Sequence, residues 1–326
     1  MRQFSYVRAE NATQAVNAKA TQANAFLAGG STLIDLVKLD VMQPDTLVDI
    51  NSLPLYDIEK LKDGRLKIGA LVTNNDLAWH PEVKARYAVL SEALLSGAST
   101  SLRNKATTGG NVMQKVRCPY YRDGVSPCNK RAPGSGCSAI EGNNRSVHAV
   151  LGTSEHCIAS HPSDMCVAMA AIGATILVSG PKGEREIPFT DFHLLPGSSP
   201  DKEHDLAPGE LITHVILDKP LPDNRSHYLK LRDRASYQFA LASSAVIVSL
   251  SGSTISNARI AMGGVGTKPW RAFEAEQSLK GKTPSQAAFE KAAAIAFAAA
   301  KPQSQNGFKI PLGQQAVVRS LKTITA

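Results

Sequence analysis

Residues 114–158 break the pattern of the chain around them. They hold Pro119, Pro127 and Pro133, five glycines, few aliphatic residues before Val147 and no helical or strand period. A stretch this long without regular structure is uncommon inside a compact domain unless something else holds it. The same stretch carries four of the five cysteines, Cys118, Cys128, Cys137 and Cys157, spaced C-x9-C-x8-C-x19-C. Thiolates in a loop poor in apolar residues suit zinc or an iron–sulfur centre. The paired knuckles usual for zinc are absent, and widely separated single thiolates around a compact inorganic core favour a [4Fe-4S] cluster. Disulfides are the plainer alternative. Metal bonds would order such a loop by substituting for a core. Cys166 lies apart in the apolar run MCVAMAAIGA and reads as a buried helical thiol.

On either side the chain alternates strands and helices. A helix is expected over 12–25, then a short buried strand over 25–30 running into Gly29 and Gly30. Leu33, Ile34, Leu36 and Val37 follow at helical spacing, with Ser31 or Thr32 placed to cap. Strands are expected at 46–50 and 66–70, and helical structure over 76–95 with a break near Pro81. After the irregular stretch come a helix at 164–172, a strand at 174–179 and a turn at Pro181. The Pro-rich segment 219–224 marks the best domain boundary. Beyond it lie an Ala/Val-rich element at 239–250, a strand ending over 258–264 and an Ala-rich helix over 286–300.

With 326 residues, 43% hydrophobic and 20% charged, the chain can bury real cores in two or three domains, which excludes a disordered tail protein. Its most apolar stretch, 240–250, is interrupted by serines and too short to span a membrane. The start, MRQFSYVRAE, lacks the apolar region of a secretory signal, so none is expected. The net charge of +8 admits nucleic acid, an anionic cofactor or an acidic partner. The basic residues are scattered apart from Lys230, Arg232, Arg234 and Arg103, Lys105, which read as solvated surface. No helix-turn-helix or dense basic stripe is visible, and 6% aromatic residues is low for stacking on single strands. A nucleic-acid-binding iron–sulfur or zinc protein is therefore the remote alternative.

Two glycine motifs carry further chemistry. In Phe26-Leu-Ala-Gly-Gly-Ser-Thr-Leu-Ile34 paired glycines stand at a strand-to-helix junction, where successive N–H groups can cradle a pyrophosphate. In Thr107-Thr-Gly-Gly-Asn111 they are flanked by hydroxyl and amide side chains suited to phosphates or a ring edge. Each alone is an ordinary turn; together they suggest a dinucleotide held between two lobes. The eight histidines are dispersed, His161-Pro162 reads as a turn, and no Ser-His-Asp or His-Cys arrangement stands out.

These motifs, with Ala159-Ser-His-Pro-Ser-Asp-Met165 and Ala258-Arg-Ile-Ala-Met-Gly-Gly-Val265, resemble the FAD-binding medium subunits of the xanthine dehydrogenase/oxidase family of molybdenum hydroxylases over nearly the whole chain. The cysteine-bearing insertion is similar to that of the aldehyde oxidoreductase FAD subunit and of the 4-hydroxybenzoyl-CoA reductase medium subunit, both of which carry a [4Fe-4S] cluster. Cys-Pro-Tyr-Tyr, Pro-Cys-Asn-Lys-Arg and Pro-Gly-Ser-Gly-Cys resemble the aldehyde enzyme more closely. The resemblance implies an α/β plus α+β architecture: a vanillyl-alcohol-oxidase-like, two-lobed FAD-binding domain over 1–220, then a CO-dehydrogenase-flavoprotein-like domain over 225–326. The lobes would span about 1–55 and 56–220, with the insertion at 114–158.

It also implies a pyrophosphate loop of Leu27, Ala28, Gly29, Gly30, Ser31, Thr32 and Leu33, and a second FAD-contacting loop of Thr107, Thr108, Gly110 and Asn111. Asp164, Ile212 and Lys230 would lie near the flavin, the last two having core and surface readings as alternatives. No residue of the chain is expected to perform acid–base catalysis. Substrate would be oxidised at a molybdenum cofactor in a large subunit. Electrons would cross two [2Fe-2S] centres in a small subunit to FAD here, and leave to an external acceptor. The reductive acyl-CoA branch is the enzymatic alternative. Iron–sulfur assembly implies a cytoplasmic origin, with residence there or in the periplasm by co-export with a partner carrying a twin-arginine signal.

Overall fold

The computed structural model describes residues 1–19 and 23–326. Three sheets organise it. The first is small and parallel, with β1 (Ser5–Arg8), β2 (Asn24–Leu27) and β3 (Thr46–Asp49) in the order β1-β3-β2. Parallel neighbours need crossovers, supplied by the helices Ala12–Ala18 and Leu33–Lys38. The first helix is shorter than the expected 12–25: it ends at Ala18, and the chain is already extended at Asn24, where β2 pairs with β3. Residues 20–22 of that expectation lie outside the described residues.

The second sheet is antiparallel. It joins β4 (Ile58–Lys60), β5 (Leu66–Gly69), β6 (Ala174–Gly180), β7 (Gly183–Pro188) and β8 (Leu211–Leu217) in the order β4-β5-β8-β6-β7. The region 76–95 forms the successive helices Asn74–Trp79, Pro81–Arg86 and Ala88–Ser96. The break falls at His80, because the residue before a proline is driven out of helical geometry and Pro81 then starts the next helix at a position that needs no N–H.

The third sheet is also antiparallel, with β9 (Asn224–Leu231), β10 (Ala242–Ser251), β11 (Thr254–Gly263) and β12 (Trp270–Arg271) in the order β12-β11-β10-β9. Helices Phe273–Leu279, Gln286–Ala296 and Lys309–Thr325 pack on it. The helix Lys309–Thr325 is not among the elements expected from the sequence, and it carries Pro311 and Gly313 near its start. Pro311 sits in the first turn, where a missing N–H costs nothing. Gly313 is needed because a Cβ there would lie 2.2 Å from the Phe297 ring.

The main core runs across both flanking regions, joining Leu66, Ile68, Met165 and Ile176 to Tyr228, Ala245, Ile247 and Ala261 of the third sheet. Helix Asp164–Ile172, buried along its whole length with Cys166 inside, fills the space between them. Among the described residues no helix is long and apolar enough to cross a membrane.

The irregular stretch is held largely by the protein itself. Val150 and Leu151 belong to the core under the third sheet, and their N–H groups both donate to the Val265 carbonyl at 2.9 and 3.0 Å. Lys301 N–H donates to the Val150 carbonyl at 2.7 Å, and the Asn144 side-chain carbonyl accepts from Gln305 N–H at 3.0 Å. The expectation that metal bonds order the whole loop is corrected to this extent: its second half is docked on the C-terminal sheet and helices.

Candidate functional site

The two glycine loops, far apart in sequence, meet. Gly29 lies against the backbone just before Thr107, and a Cβ on it would stand 1.9 Å from the Lys105 carbonyl oxygen and 3.3 Å from Ala106 Cα. Gly30 has φ +71°, in the left-handed region that favours glycine. Asn51 Nδ2 donates to the carbonyls of Leu27 and Ala28 at 3.3 and 3.2 Å, which fixes the loop from the third strand's end. Among the described residues, the N–H groups of Gly29, Gly30, Ser31, Thr32 and Leu33 donate to no protein acceptor. Successive free donors at a helix start are able to cradle an anion. Thr32 is the N-cap but its side chain makes no capping bond, so the capping expected of Ser31 or Thr32 is corrected. The Thr32 hydroxyl instead lies 3.5 Å from the guanidinium of Arg117.

The second loop divides its labour. Thr108 is wholly buried and both its N–H and hydroxyl donate to the Val72 carbonyl, at 2.8 and 3.0 Å. Thr107, also buried, caps the short helix Thr108–Val112 by accepting from Gly110 N–H. These two threonines anchor the turn, and Gly110 and Asn111 form its more open side. Asn111 accepts from the Ser163 hydroxyl at 2.7 Å, and Ser163 caps the helix that begins at Asp164.

Asp164 is paired. Lys230 Nζ donates to it at 2.7 Å and the Tyr228 hydroxyl at 2.6 Å, with all three groups buried. Burial and the Asp164 carboxylate hold the Tyr228 phenol well above its ordinary pKa, so it remains a donor. Lys230 is thus not the solvated charge suggested by its local cluster. Arg232 joins Lys230 in donating to the Ser96 carbonyl, and Arg103 donates to that of Gly97, whereas Arg234 and Lys105 are exposed as expected. Ile212 is buried on β8, paired with Val178 in the main core with Val112 and Met165. Breaking a buried pair by removing one partner typically costs about 3–5 kcal/mol. Lys230→Met is therefore expected to lower the urea midpoint more than the double change Lys230→Met with Asp164→Asn; equal losses would contradict the pairing.

A pocket of about 320 Å³ of empty space opens beside Asp164, lined also by Arg117, His161, Ser163, Phe239 and Gly264. Arg117 was missed in the sequence because a single arginine beside Cys118 carries no pattern. It stacks over Phe239 at 5.0 Å and lies 3.7 Å from Asp35, and its buried Nε has no partner. An unpartnered guanidinium donor between the first glycine loop and this pocket fits an anionic ligand.

The four expected cysteines line one second pocket of about 300 Å³, with Tyr120, Tyr121, Asn129, Lys130 and Ala139 among its walls. Cys128 and Cys137 face each other across an isolated bridge, closed by Asn129 N–H to the Gly136 carbonyl at 2.7 Å. Arg131 donates to the carbonyls of Tyr120 and Tyr121, both at 2.8 Å, which ties Cys118's helix to that turn. All four are free thiols, so the disulfide alternative is corrected. Burial pushes the Cys118 thiol up to about 12 and raises that of Cys157; thiolates here need a bound cation to offset the desolvation.

Sulfurs around one tetrahedral zinc stand roughly 3.8 Å apart, given Zn–S bonds of about 2.3 Å. Among the described residues the one trio of His, Cys, Asp or Glu ligand atoms lying mutually within 4.8 Å is His161, Cys166 and His193, so the four loop thiols are spread more widely than a zinc site. In that trio each imidazole makes one hydrogen bond and leaves its other ring nitrogen, His161 Nε2 or His193 Nδ1, buried without a partner. His161 Nδ1 accepts from Ser163 N–H at 3.4 Å, which leaves its proton on Nε2, and His193 Nε2 pairs with the Val112 carbonyl at 3.0 Å, which leaves Nδ1 as the acceptor. The rings stack edge-on at 4.6 Å, and burial holds both neutral, His193 at about 4 and His161 well below its ordinary value. Histidines dispersed in sequence are therefore gathered in space, in a buried group with no activated thiol.

This geometry pairs a site suited to an anionic ligand with an internal thiol pocket, and the comparisons give the class. Residues 2–220 match the family "FAD binding domain in molybdopterin dehydrogenase", and residues 227–323 match "CO dehydrogenase flavoprotein C-terminal domain". The chain belongs to this family, the FAD-binding medium subunits of molybdenum hydroxylases, and is an oxidoreductase subunit.

Among individual relatives, it is 47% identical over 323 residues to the aldehyde oxidoreductase FAD-binding subunit PaoB of Escherichia coli (strain K12), covering 98% of both chains. It is 29% identical to the glyceraldehyde dehydrogenase medium chain of Sulfolobus acidocaldarius, over 86% of this chain and 82% of that one. The fold matches carbon monoxide dehydrogenase from Hydrogenophaga pseudoflava with a TM-score of 0.78 and 26% identity, covering 99% of this chain and 97% of that one. The vanillyl-alcohol-oxidase-like, CO-dehydrogenase-flavoprotein-like architecture expected from the sequence is the one found.

Proposed function

We propose that this chain is the FAD and [4Fe-4S] subunit of a heterotrimeric molybdenum-dependent aldehyde oxidoreductase. The carrying observation is that four cysteines spread over the irregular stretch line one pocket, in a chain whose full length is similar to an aldehyde oxidoreductase subunit. Cys118, Cys128, Cys137 and Cys157 would hold the cluster; their wide spread and enforced burial suit a cubane better than zinc. FAD would lie on the free N–H donors of Gly29 to Leu33, with Arg117 beside the same anion. Gly110 and Asn111 would complete the cradle, and Thr107 and Thr108 would hold that second loop in place. Asp164 and Lys230, with Ile212 in the core behind, would border the flavin from the opposite wall.

When bound, FAD supplies a two-electron redox group between partner subunits and an external acceptor. The chain's own part is to hold and orient that group, with no acid–base residue of its own. The matched segments support the division into 1–220 and 225–326. The partners are a large subunit with the molybdenum cofactor and a small subunit with two [2Fe-2S] centres. Mixing the assembled enzyme anaerobically with an aldehyde is expected to bleach the visible absorbance of the oxidised flavin. Flavin that stays oxidised while substrate is consumed would contradict the reading.

A further inference from the structure

His148 lies beside the thiol pocket, in contact with Cys118. Its Nε2 lies 3.2 Å from Cys118 Sγ, the residue is 1% exposed, and its Nδ1 has no partner. The ring cannot easily leave this position, because the backbone that carries it is fixed on several sides. His148 forms a bridge with Ala159, and Ala149 N–H donates to the Ile158 carbonyl at 2.8 Å. Asn306 Nδ2 donates to the Ala149 carbonyl at 3.1 Å, and the buried Lys309 ammonium donates to the carbonyls of Ser146 at 2.7 Å and Gly264 at 2.6 Å. Both Asn306 and Lys309 are fully buried, so the C-terminal segment acts as a clamp on the imidazole's strand. Buried polar groups normally keep a hydrogen-bond partner, and Cys118 Sγ is the one this ring has.

We infer that His148 donates an N–H hydrogen bond from Nε2 to the Cys118 thiolate and thereby sets the reduction potential of the [4Fe-4S] centre. This rests on Cys118 being a cluster ligand. A thiolate can only accept, so the nitrogen facing it carries the proton, and Nδ1 is left as the bare acceptor that the structure shows without a partner. Hydrogen bonds to cluster sulfurs are among the levers that set such potentials. With the cluster bound, its one-electron-reduced form would carry more negative charge on the sulfurs than its oxidised form, and the His148 N–H would face that charge without giving up its proton. The N–H dipole stabilises that reduced form more than the oxidised one and raises the potential. Among the described residues Cys118 is the one cysteine with a hydrogen-bond contact to an imidazole, so the effect is local to it, although Cys157 shares a pocket with His161, His193 and His204.

The test is an anaerobic redox titration of the enzyme, purified with the subunits that accompany it, followed by EPR of the reduced cluster. Wild type, His148→Leu and His148→Gln are compared, with Cys137→Ser as the cluster-free reference for iron content. Both His148 variants are expected to keep the wild-type iron. The Leu variant is expected to shift toward more negative potential by about tenfold in the reduced-to-oxidised ratio, which is 59 mV for one electron, and the Gln variant to recover part of that shift. An unchanged potential at full iron would overturn the inference, as would iron lost from both variants, which would make His148 a ligand. If the Leu variant does not fold, an exchangeable proton coupled to the reduced wild-type cluster is the expected sign, and no such coupling overturns the inference. Wild type with no more iron than Cys137→Ser would instead sink the cluster reading itself.

Discussion

Gly29→Ala is expected to yield a folded chain with little or no bound FAD. The new Cβ would stand 1.9 Å from the Lys105 carbonyl oxygen, and that neighbour is backbone, which has no rotamer to move away. The two glycine loops must then separate at the place where the dinucleotide would lie between them. Binding of the pyrophosphate needs several N–H groups aimed at one point, so a displacement of an ångström removes most of them together. Gly30→Val acts on the same loop by another route: φ is +71°, and a β-branched residue is strained there. The expected readout is flavin released on denaturation, at least tenfold below wild type for either variant, with the far-UV spectrum unchanged. Stoichiometric flavin in Gly29→Ala would contradict the placement of FAD in this cradle.

The second large effect is expected at the thiol pocket. Cys137→Ser should lose the cluster iron and loosen the turn that Cys128 and Cys137 close, whereas Cys166→Ser should retain all of it. Cys166 sits inside helix Asp164–Ile172, and burial pushes its thiol to about 12. Iron per chain separates the two variants, and iron lost from Cys166→Ser would overturn the ligand set. Limited proteolysis should show new cleavage in Cys137→Ser within 118–137 and not within 144–151, because the latter is held by its bonds to Val265, Lys301 and Gln305.

Much of this site was legible in the sequence because glycine pairs and cysteines are chemically narrow. The close approach at Gly29 and the left-handed turn at Gly30 are uses that few other residues permit, and the spacing of the four thiols told against paired zinc knuckles. Helix Asp164–Ile172 was readable to the residue, since Ser163 caps it and Gly173, at φ +86°, ends it. What the sequence did not disclose were pairings over long separations. Tyr228 and Lys230 look like ordinary strand residues until β9 is laid over the start of the 164–172 helix, when both reach one carboxylate. His148, Arg117 and the His161–His193 pair carry no local pattern and acquire meaning only from what the fold sets beside them. The ordering of 144–151 was attributed to metal for the same reason: its partners, Val265, Lys301 and Gln305, are over a hundred residues away.

The most direct test of the central claim is the visible spectrum of the anaerobically purified chain, with flavin extraction and iron and zinc counts. Flavin bands over a broad thiolate–iron shoulder are expected, with about one FAD and about four iron atoms per chain. A chain that binds FAD but holds a single zinc and no iron would contradict that claim.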